Sequence, residues 1–149
     1  QIRKLVTIFP EGQIVTVVDG RIVGCALSII VDYDTVKGDH TYAKVTGGET
    51  FDTHTPNGNI LYGIEVFIHP DYRGLRLARR MYEYRKELCE KLNLKAIMFG
   101  GRLPNYHKYA DQMRPKEHID KVRNRRSRTA VPALERLPCP QGNAQLSAQ

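Results

Sequence analysis

The fold is decided by VFIHPDYRGLRLARRMYE, residues 66–83, where a strand ends, the chain turns and a helix begins. The apolar run ILYGIEVFIHP at 60–70 predicts a largely buried strand that stops at Pro70, because proline donates no ladder hydrogen bond. Asp71 suits a helix cap and is expected to start the helix. Apolar residues then recur at helical spacing, which predicts an amphipathic helix: Leu77, Ala78, Met81, Tyr84, Leu88 and Leu92.

The turn between this strand and this helix predicts an anion site. The first turn of a helix presents backbone N–H groups without intrahelical partners, at the positive end of the helix dipole. Gly74 lets a phosphate approach the backbone closely. Four arginines add positive charge nearby: Arg73, Arg76, Arg79 and Arg80. A diphosphate suits such a site, and the alternative is an ordinary strand-to-helix junction followed by a solvated basic helix.

Upstream of this stretch, the sequence predicts a β-hairpin and a long excursion. Two β-branched runs flank Asp19-Gly20 and favour strands at about 13–18 and 21–32. Residues 33–60 are polar and rich in turn residues, and their HTYAKVT piece suits either a short strand or one helical turn. Excursions of this length between strands are often functional.

Downstream of the helix, LKAIMFGG predicts a short buried strand at about 94–99, which completes a right-handed parallel strand–helix–strand unit. Two short helices are expected at 104–113 and 115–122. After residue 122 the chain has three prolines, no aromatic residue and no sustained period. We therefore expect one domain at 1–122 and an atypical, poorly ordered tail at 123–149.

Composition narrows the class of protein. The 149 residues are 41% hydrophobic, which is typical of one globular domain. No apolar run approaches the ~18 residues of a membrane span, so we expect no membrane partner. The three widely spaced cysteines favour a reducing, intracellular setting, so we expect a cytoplasmic protein. The cysteines and histidines show neither a disulfide framework nor a zinc spacing, so we expect no metal. A net charge of +7 attracts polyanions, either nucleic acid or a phosphorylated cofactor.

The string at 66–83 resembles the coenzyme-binding motif of the GNAT superfamily of acetyltransferases, whose pattern is Arg/Gln-x-x-Gly-x-Gly/Ala. Arg73 matches the first position and Ala78 the last, whereas Arg76 replaces the central glycine, where its side chain either crowds the phosphate or turns outward. The wider run LYGIEVFIHPDYRGLRLARRMYEYRKELCEKLNLKAIMFGGRLPNYHKYA resembles GNAT domains that are fused to a carbon–nitrogen hydrolase (nitrilase-like) domain. The resemblance extends over about residues 9–122.

The resemblance implies an α+β fold with a mixed, mostly antiparallel sheet and helices on both faces, here without the first and last strands. It implies transfer of an acetyl group from acetyl-CoA to a primary amine of a small molecule or protein. Pantetheine would bond the backbone of the coenzyme strand like an added strand, at Val66, Phe67 and Ile68. The diphosphate would be held by the turn and first helical residues: Arg73, Gly74, Leu75, Arg76, Leu77 and Ala78.

Two side chains are catalytic candidates. Glu65 lies in an otherwise apolar strand, where burial would raise its pKa and suit it to take the amine proton. The alternative is a Glu65 that faces solvent or forms a structural pair. Tyr109, with Tyr106 beside it, follows the second parallel strand, where the resemblance implies a tyrosine that protonates sulfur, and a core aromatic is the alternative. Asn105 precedes them, as in many family members, and is a candidate coenzyme contact.

Two other functions compete with acetyl transfer. A basic nucleic-acid-binding module would explain the charge and the Arg-rich tail, but no RNA-binding sheet signature, zinc finger or clear helix-turn-helix is present, which argues against a nucleic-acid partner. A catalytically inactive GNAT-like domain would instead sense coenzyme or contact a fused hydrolase. Arg76 in place of glycine favours this second possibility.

Overall fold

The chain has an α+β fold in a computed structural model, which describes residues 2–38, 40–101, 103, 105–125 and 137–138. The described residues divide into two compact units. The first comprises the described parts of Gln1–Met98 and Arg136–Gln149, and the second the described part of Phe99–Glu135. The site residues predicted from the sequence are divided between the two units.

The first unit begins with helix α1, Ile2–Ile8, and a 3-10 turn at Pro10–Gly12. Strands β1, Ile14–Val18, and β2, Arg21–Val31, then pair antiparallel. The two residues between them, Asp19 and Gly20, have φ angles of 48° and 75°. Positive φ at both positions matches a two-residue turn to the twist of the strands. The hairpin predicted from the Asp-Gly pair is confirmed.

Residues 33–60 contribute two short helices, α2, Tyr33–Val36, and α3, Tyr42–Thr46. The HTYAKVT piece is therefore helical, one of the two forms that its sequence allowed. Thr41 caps α3, because its hydroxyl accepts a hydrogen bond from the Lys44 N–H at 3.1 Å. Side chains of α1, of this excursion and of the sheet form a buried core cluster: Leu5, Leu27, Ile29, Val31, Val36, Val45, Phe51, Ile60, Tyr62 and Met98.

Strand β3, Ile60–Ile68, pairs antiparallel with β2 and carries a β-bulge. Leu27 lies opposite Glu65, whereas the next residue, Ser28, lies opposite Gly63, so Ile64 is the extra residue. A bulge bends its strand and re-aims the side chains beside it. The alternation of side chains along β3 therefore changes just before Glu65.

Strand β4, Ala96–Phe99, is the neighbour of β3 and accompanies only part of its length. The Lys95 N–H donates to the Asn59 carbonyl at 2.8 Å, so the two strands begin at the same end of the sheet. A four-residue strand that starts there reaches about half the length of the nine-residue β3. Strand β5, Leu137–Pro138, pairs antiparallel with β4, and the sheet order is β1-β2-β3-β4-β5.

Helix α4, Leu77–Lys91, packs on the sheet face opposite the core cluster. Leu27 and Ile29 belong to that cluster, whereas Ser28, which alternates with them, is hydrogen-bonded by Arg85 of α4. The helix begins only after a 3-10 turn at Pro70–Tyr72. The expectation that Asp71 caps the helix is therefore wrong, because the chain still has to turn the corner to Arg76, the N-cap residue.

The second unit contains a 3-10 turn at Tyr106–Lys108 and helix α5, Pro115–Arg125. The first of the two helices predicted there is only this single turn, while the second is present and longer than predicted. The rest of the predicted tail at 123–149 lies outside the described residues, apart from the end of α5 and strand β5.

Two further observations concern the helices and the cysteines. Over the part of the chain that the structure describes, every helix is too short or too polar to cross a bilayer. Cys25 is a free thiol, whereas Cys89 is disulfide-bonded, which the spacing of the cysteines does not predict.

Candidate functional site

The junction between β3 and α4 presents a row of backbone donors. The N–H of Arg73 donates to the Pro70 carbonyl, and the N–H of Arg80 donates to the Arg76 carbonyl, each at 3.2 Å. Between them, no described residue supplies a backbone acceptor for the N–H groups of residues 74–79. We refer to residues 74–79 as the amide corner. Its donors lie at the positive end of a 15-residue helix, an arrangement that binds anions.

Arginine residues flank and form part of the amide corner along the chain. The Arg73 Nε donates to the Ile68 carbonyl at 3.3 Å, which holds this side chain beside the end of β3. Arg79 forms an exposed i,i+4 ion pair on α4, and Arg80 is also exposed. Positive charge is thus available to a polyanion at this end of the helix.

Arg76 departs from the resembled motif in its side chain but not in its backbone. Its φ of 57° and ψ of 21° lie in the left-handed region, which glycine enters without steric cost. The Arg76 side chain is exposed to solvent, which corresponds to the outward arrangement rather than the crowded one. Gly74, with φ of 86°, provides the other left-handed residue of the corner.

The end of β3 that adjoins the amide corner has an unpaired edge. Val66, Phe67 and Ile68 pair with β2 on one side. On the other side, β4 accompanies only the first half of β3, and no other strand of the described sheet pairs there. Alternate residues of a strand direct their N–H and C=O groups to opposite sides, so part of this backbone faces the open edge.

Glu65 is exposed, which agrees with the alternative that it faces solvent and not with its burial in the apolar strand. The bulge at Ile64 is the physical reason, because it re-aims the residue that follows. The Glu65 carboxylate lies near the free thiol of Cys25: burial raises the pKa of this thiol, and the charge of Glu65 raises it further. Glu65 is thus placed on the same sheet face as Cys25, beside the coenzyme strand predicted from the sequence.

Side chains from the 33–60 excursion complete a polar group around Glu65, which we call the tyrosine–carboxylate cluster: Glu65, Glu49, Tyr42, Tyr62 and His40. Burial raises the pKa of Tyr42, and the charges of Glu49 and Glu65 raise it further. Burial likewise raises the pKa of Tyr62, whose hydroxyl shares a hydrogen bond of 3.2 Å with His40 Nε2. In a chain of net charge +7, this cluster places two carboxylates beside the half-exposed Tyr42, which favours a cationic group there.

The sequence patterns do not single out Arg85, which the structure buries at 1% exposure. Its guanidinium donates to the Leu27 carbonyl at 2.7 Å, the Glu65 carbonyl at 3.0 Å and the Ser28 hydroxyl at 3.1 Å. Burial lowers the pKa of Arg85, and no carboxylate of the described chain forms an ion pair with it. The available signal was its spacing, since Arg85 follows Met81 by four residues in the apolar stripe of the helix.

The second unit holds the remaining candidates. The Tyr109 ring centroid is 5.6 Å from that of His118, and Lys121 Nζ lies 6.0 Å from the Tyr109 ring. Tyr109 is 37% exposed. The Tyr106 hydroxyl donates to a backbone carbonyl of the same unit at 3.0 Å, so it is already engaged. Asn105 is exposed and has left-handed backbone, with φ of 62°.

The donor set of the first unit suits phosphate oxygens. Backbone N–H groups and arginine side chains form strong, charge-assisted hydrogen bonds to such oxygens. Within the described ranges, no group of three or more His, Cys, Asp or Glu side chains is placed to hold a metal. The site therefore fits a ligand with a diphosphate for the amide corner and an extended amide-bearing arm for the edge of β3.

Comparison with known proteins gives a family and two curated relatives. The model of the acetyltransferase (GNAT) family matches residues 3–110. The probable hydrolase YhcX of Bacillus subtilis (strain 168) is 43% identical over 114 residues, which are 76% of this chain and 22% of that protein. The uncharacterized N-acetyltransferase YkwB of the same organism is 30% identical over 131 residues, 88% of this chain and 58% of that protein. The chain thus spans less than two thirds of either relative.

Solved structures show the same fold. The GphF GNAT-like decarboxylase in complex with isobutyryl-CoA matches with a TM-score of 0.65 at 17% identity, over 80% of this chain and 60% of that one. The loading GNATL domain of CurA from Lyngbya majuscula matches with a TM-score of 0.63 at 19% identity, over 79% of this chain and 61% of that one. The α+β fold with a mostly antiparallel sheet, expected from the sequence, is confirmed.

Proposed function

The chain belongs to the GNAT family of acetyltransferases, and on this basis we propose that it transfers an acetyl group from acetyl-CoA to a primary amine. One observation carries the proposal: the amide corner, with six N–H groups that no described backbone acceptor satisfies, follows directly on a strand with an open edge. Coenzyme A is a ligand that needs both features, since a diphosphate follows its extended pantetheine arm. The similar GphF decarboxylase was solved with isobutyryl-CoA, which supports an acyl-CoA ligand.

The coenzyme would lie along the end of β3 and the start of α4. In the stretch Val66, Phe67 and Ile68, the alternate residues whose backbone faces the open edge would bond pantetheine. The amide corner and Arg73 would hold the diphosphate, with Leu75, Leu77 and Ala78 contributing backbone N–H groups. Asn105 stays a coenzyme contact predicted from the resemblance.

The acceptor amine would approach the tyrosine–carboxylate cluster, whose negative charge favours an ammonium group. Glu65 would take the proton as the amine nitrogen attacks the thioester carbonyl, so that a C–N bond forms and the C–S bond breaks. Tyr109 would return a proton to the departing thiolate. Because Glu65 is exposed, its proposed role as proton acceptor rests on its location in the cluster and not on burial.

Two extensions belong to the same proposal. We propose that the full protein carries a carbon–nitrogen hydrolase domain, a suggestion supported by the name of the probable hydrolase YhcX, of which the chain spans 22%. A coenzyme-binding domain without transferase activity is the competing function. The replacement of the motif glycine by Arg76 in the sequence favours it, although the exposed Arg76 side chain does not crowd the amide corner.

Calorimetry with acetyl-CoA tests the proposal, with Gly74→Ala and Gly48→Ala as matched variants. Both glycines are exposed, have positive φ and would place an added methyl in open space, so both substitutions cost backbone strain alone. We expect Gly74→Ala to weaken acetyl-CoA binding about tenfold or more, because it re-aims the amide corner, while Gly48→Ala leaves binding unchanged.

The outcomes separate the competing functions. Binding together with acetyl transfer to a panel of primary amines supports the transferase. Binding without transfer to any amine supports the inactive coenzyme-binding domain. Equal effects of the two alanine variants, or no binding by the unmodified chain, would exclude the amide corner as the coenzyme site.

A further inference from the structure

The bulge in β3 is held by one side chain from the helix beneath it. The same Arg85 nitrogen, Nη2, donates to the carbonyl of Leu27 on β2 and to that of Glu65 on β3, the two residues that face each other at the register shift. Its Nε donates to Ser28, the next residue of β2. Arg85 thus bridges both strands at the one place where their ladder is interrupted.

Gly63 makes room for this bridge. A Cβ atom at Gly63 would lie 2.9 Å from Arg85 Nη1, closer than Cβ atoms approach other atoms in proteins, and at a tight 3.2 Å from Arg85 Cζ. The guanidinium therefore occupies the space that a side chain on β3 would fill, directly before the bulge residue Ile64. The Tyr82 ring, with its centroid 5.5 Å from Arg85 Cζ, packs against the guanidinium from the helix.

The bridge also sets the direction of the next peptide group. Because Arg85 reaches the Glu65 and Leu27 carbonyls with one nitrogen, the Glu65 carbonyl is turned toward β2. In a trans peptide the N–H of the following residue points the opposite way, and the described chain has no cis peptide. The Val66 N–H is therefore directed at the open edge of β3. A cationic donor on the Glu65 carbonyl also polarises this peptide and strengthens the Val66 N–H as a donor.

We propose that Arg85 is a positioning residue for the coenzyme strand: it locks the bulge at Ile64 and thereby aims the Val66 N–H and the Glu65 side chain. This inference rests on the proposed function. A bulge that migrated by one residue would exchange the N–H groups that face the open edge for those that face β2. Arg85 prevents that slip, because only one register places both carbonyls on its guanidinium.

The experiment compares Arg85→Lys with Leu88→Ala, a buried substitution on the same helix that does not touch the bulge. Arg85→Lys keeps the positive charge but cannot make three divergent hydrogen bonds. We expect it to raise the Kd for coenzyme A and the KM for acetyl-CoA about tenfold, with a smaller change in the KM for the amine, while Leu88→Ala lowers Tm without either effect. Equal changes in the two variants at matched Tm would overturn the proposal.

A second measurement reads the bulge without any coenzyme. Amide hydrogen exchange and cross-strand NOEs in isotope-labelled protein report whether Leu27 still faces Glu65. In Arg85→Lys we expect faster exchange at residues 64–66 and loss of the Leu27–Glu65 contact, with neither change in Leu88→Ala. Unchanged exchange and contacts in Arg85→Lys would overturn the lock. If the unmodified chain binds no coenzyme A, the proposed function fails, and this measurement still decides the role of Arg85.

Discussion

Arg76 is the residue at which the chain keeps a glycine conformation without a glycine. A left-handed backbone costs a non-glycine residue about 1–2 kcal/mol, and part of this is offset because glycine loses more entropy on folding. We expect Arg76→Gly to raise the free energy of unfolding by up to about 1 kcal/mol, as measured by urea denaturation. Arg80→Gly, a matched exposed arginine inside the helix, should lower it by about 1 kcal/mol. Loss of stability in both variants would show that Arg76 is not strained.

Glu65 provides a second test at the scale of one residue. If its carboxylate takes the amine proton, Glu65→Gln should lower kcat, and the loss should be largest at pH values where the amine is protonated and shrink toward pH ~10, where free amine is abundant. Steady-state pH–rate profiles for acetyl transfer measure this. Glu49→Gln is the control, since it removes a charge from the same cluster and should raise the KM for the amine more than it lowers kcat. A profile for Glu65→Gln that parallels the unmodified protein would remove Glu65 from the mechanism.

At the scale of elements, turn residues and apolar spacing predicted the strands and helices that form from interactions between residues close in sequence. The hairpin follows from the Asp19-Gly20 pair, and β3 and α4 follow from apolar spacing, although α4 begins later than Asp71 suggests and Tyr84 is 48% exposed rather than buried. The bulge could not be predicted, because it depends on the register between β2 and β3. The spacing of Arg85 from Met81 indicates the buried face of α4, but the carbonyls that Arg85 bonds depend on that same register. Glu65 shows the consequence: the alternation read from its strand reverses at the bulge.

His54 links the 33–60 excursion to β2 and makes this contact sensitive to pH. Its Nδ1 accepts the Ile30 N–H at 3.1 Å, and its ring stacks on Phe9 with centroids 5.3 Å apart, so the folded protein uses the neutral imidazole. Burial lowers the pKa of His54. The unfolded chain then takes up this proton first, so stability from His54 is complete above pH ~6.5 and is lost as pH falls toward the lower folded pKa.

The corresponding variant is His54→Asn, whose side-chain oxygen can accept the same N–H but does not titrate. We expect Tm to fall less between pH 7 and 5 in this variant than in the unmodified chain. NMR titration of the His54 ring gives the folded pKa directly. A folded pKa at or above the ordinary value, or an unchanged pH dependence of Tm, would contradict this account.

At the scale of the whole molecule, the net charge of +7 attracts any polyanion, so the specific and non-specific consequences of this charge have to be separated. A ligand that binds only the folded chain raises the free energy of unfolding by about 2.7 kcal/mol at 100 times its Kd.

We expect coenzyme A to give a saturable rise in Tm that survives added salt, because fixed backbone donors of the amide corner supply much of its binding. A single-stranded oligonucleotide should give a smaller rise that disappears as salt increases, since its binding depends on the release of counterions. Thermal unfolding with each ligand at low and physiological salt measures both effects, and Gly74→Ala should reduce only the first. A salt-resistant rise with oligonucleotide, or a coenzyme response that Gly74→Ala leaves intact, would instead assign the basic surface to nucleic acid or to charge alone.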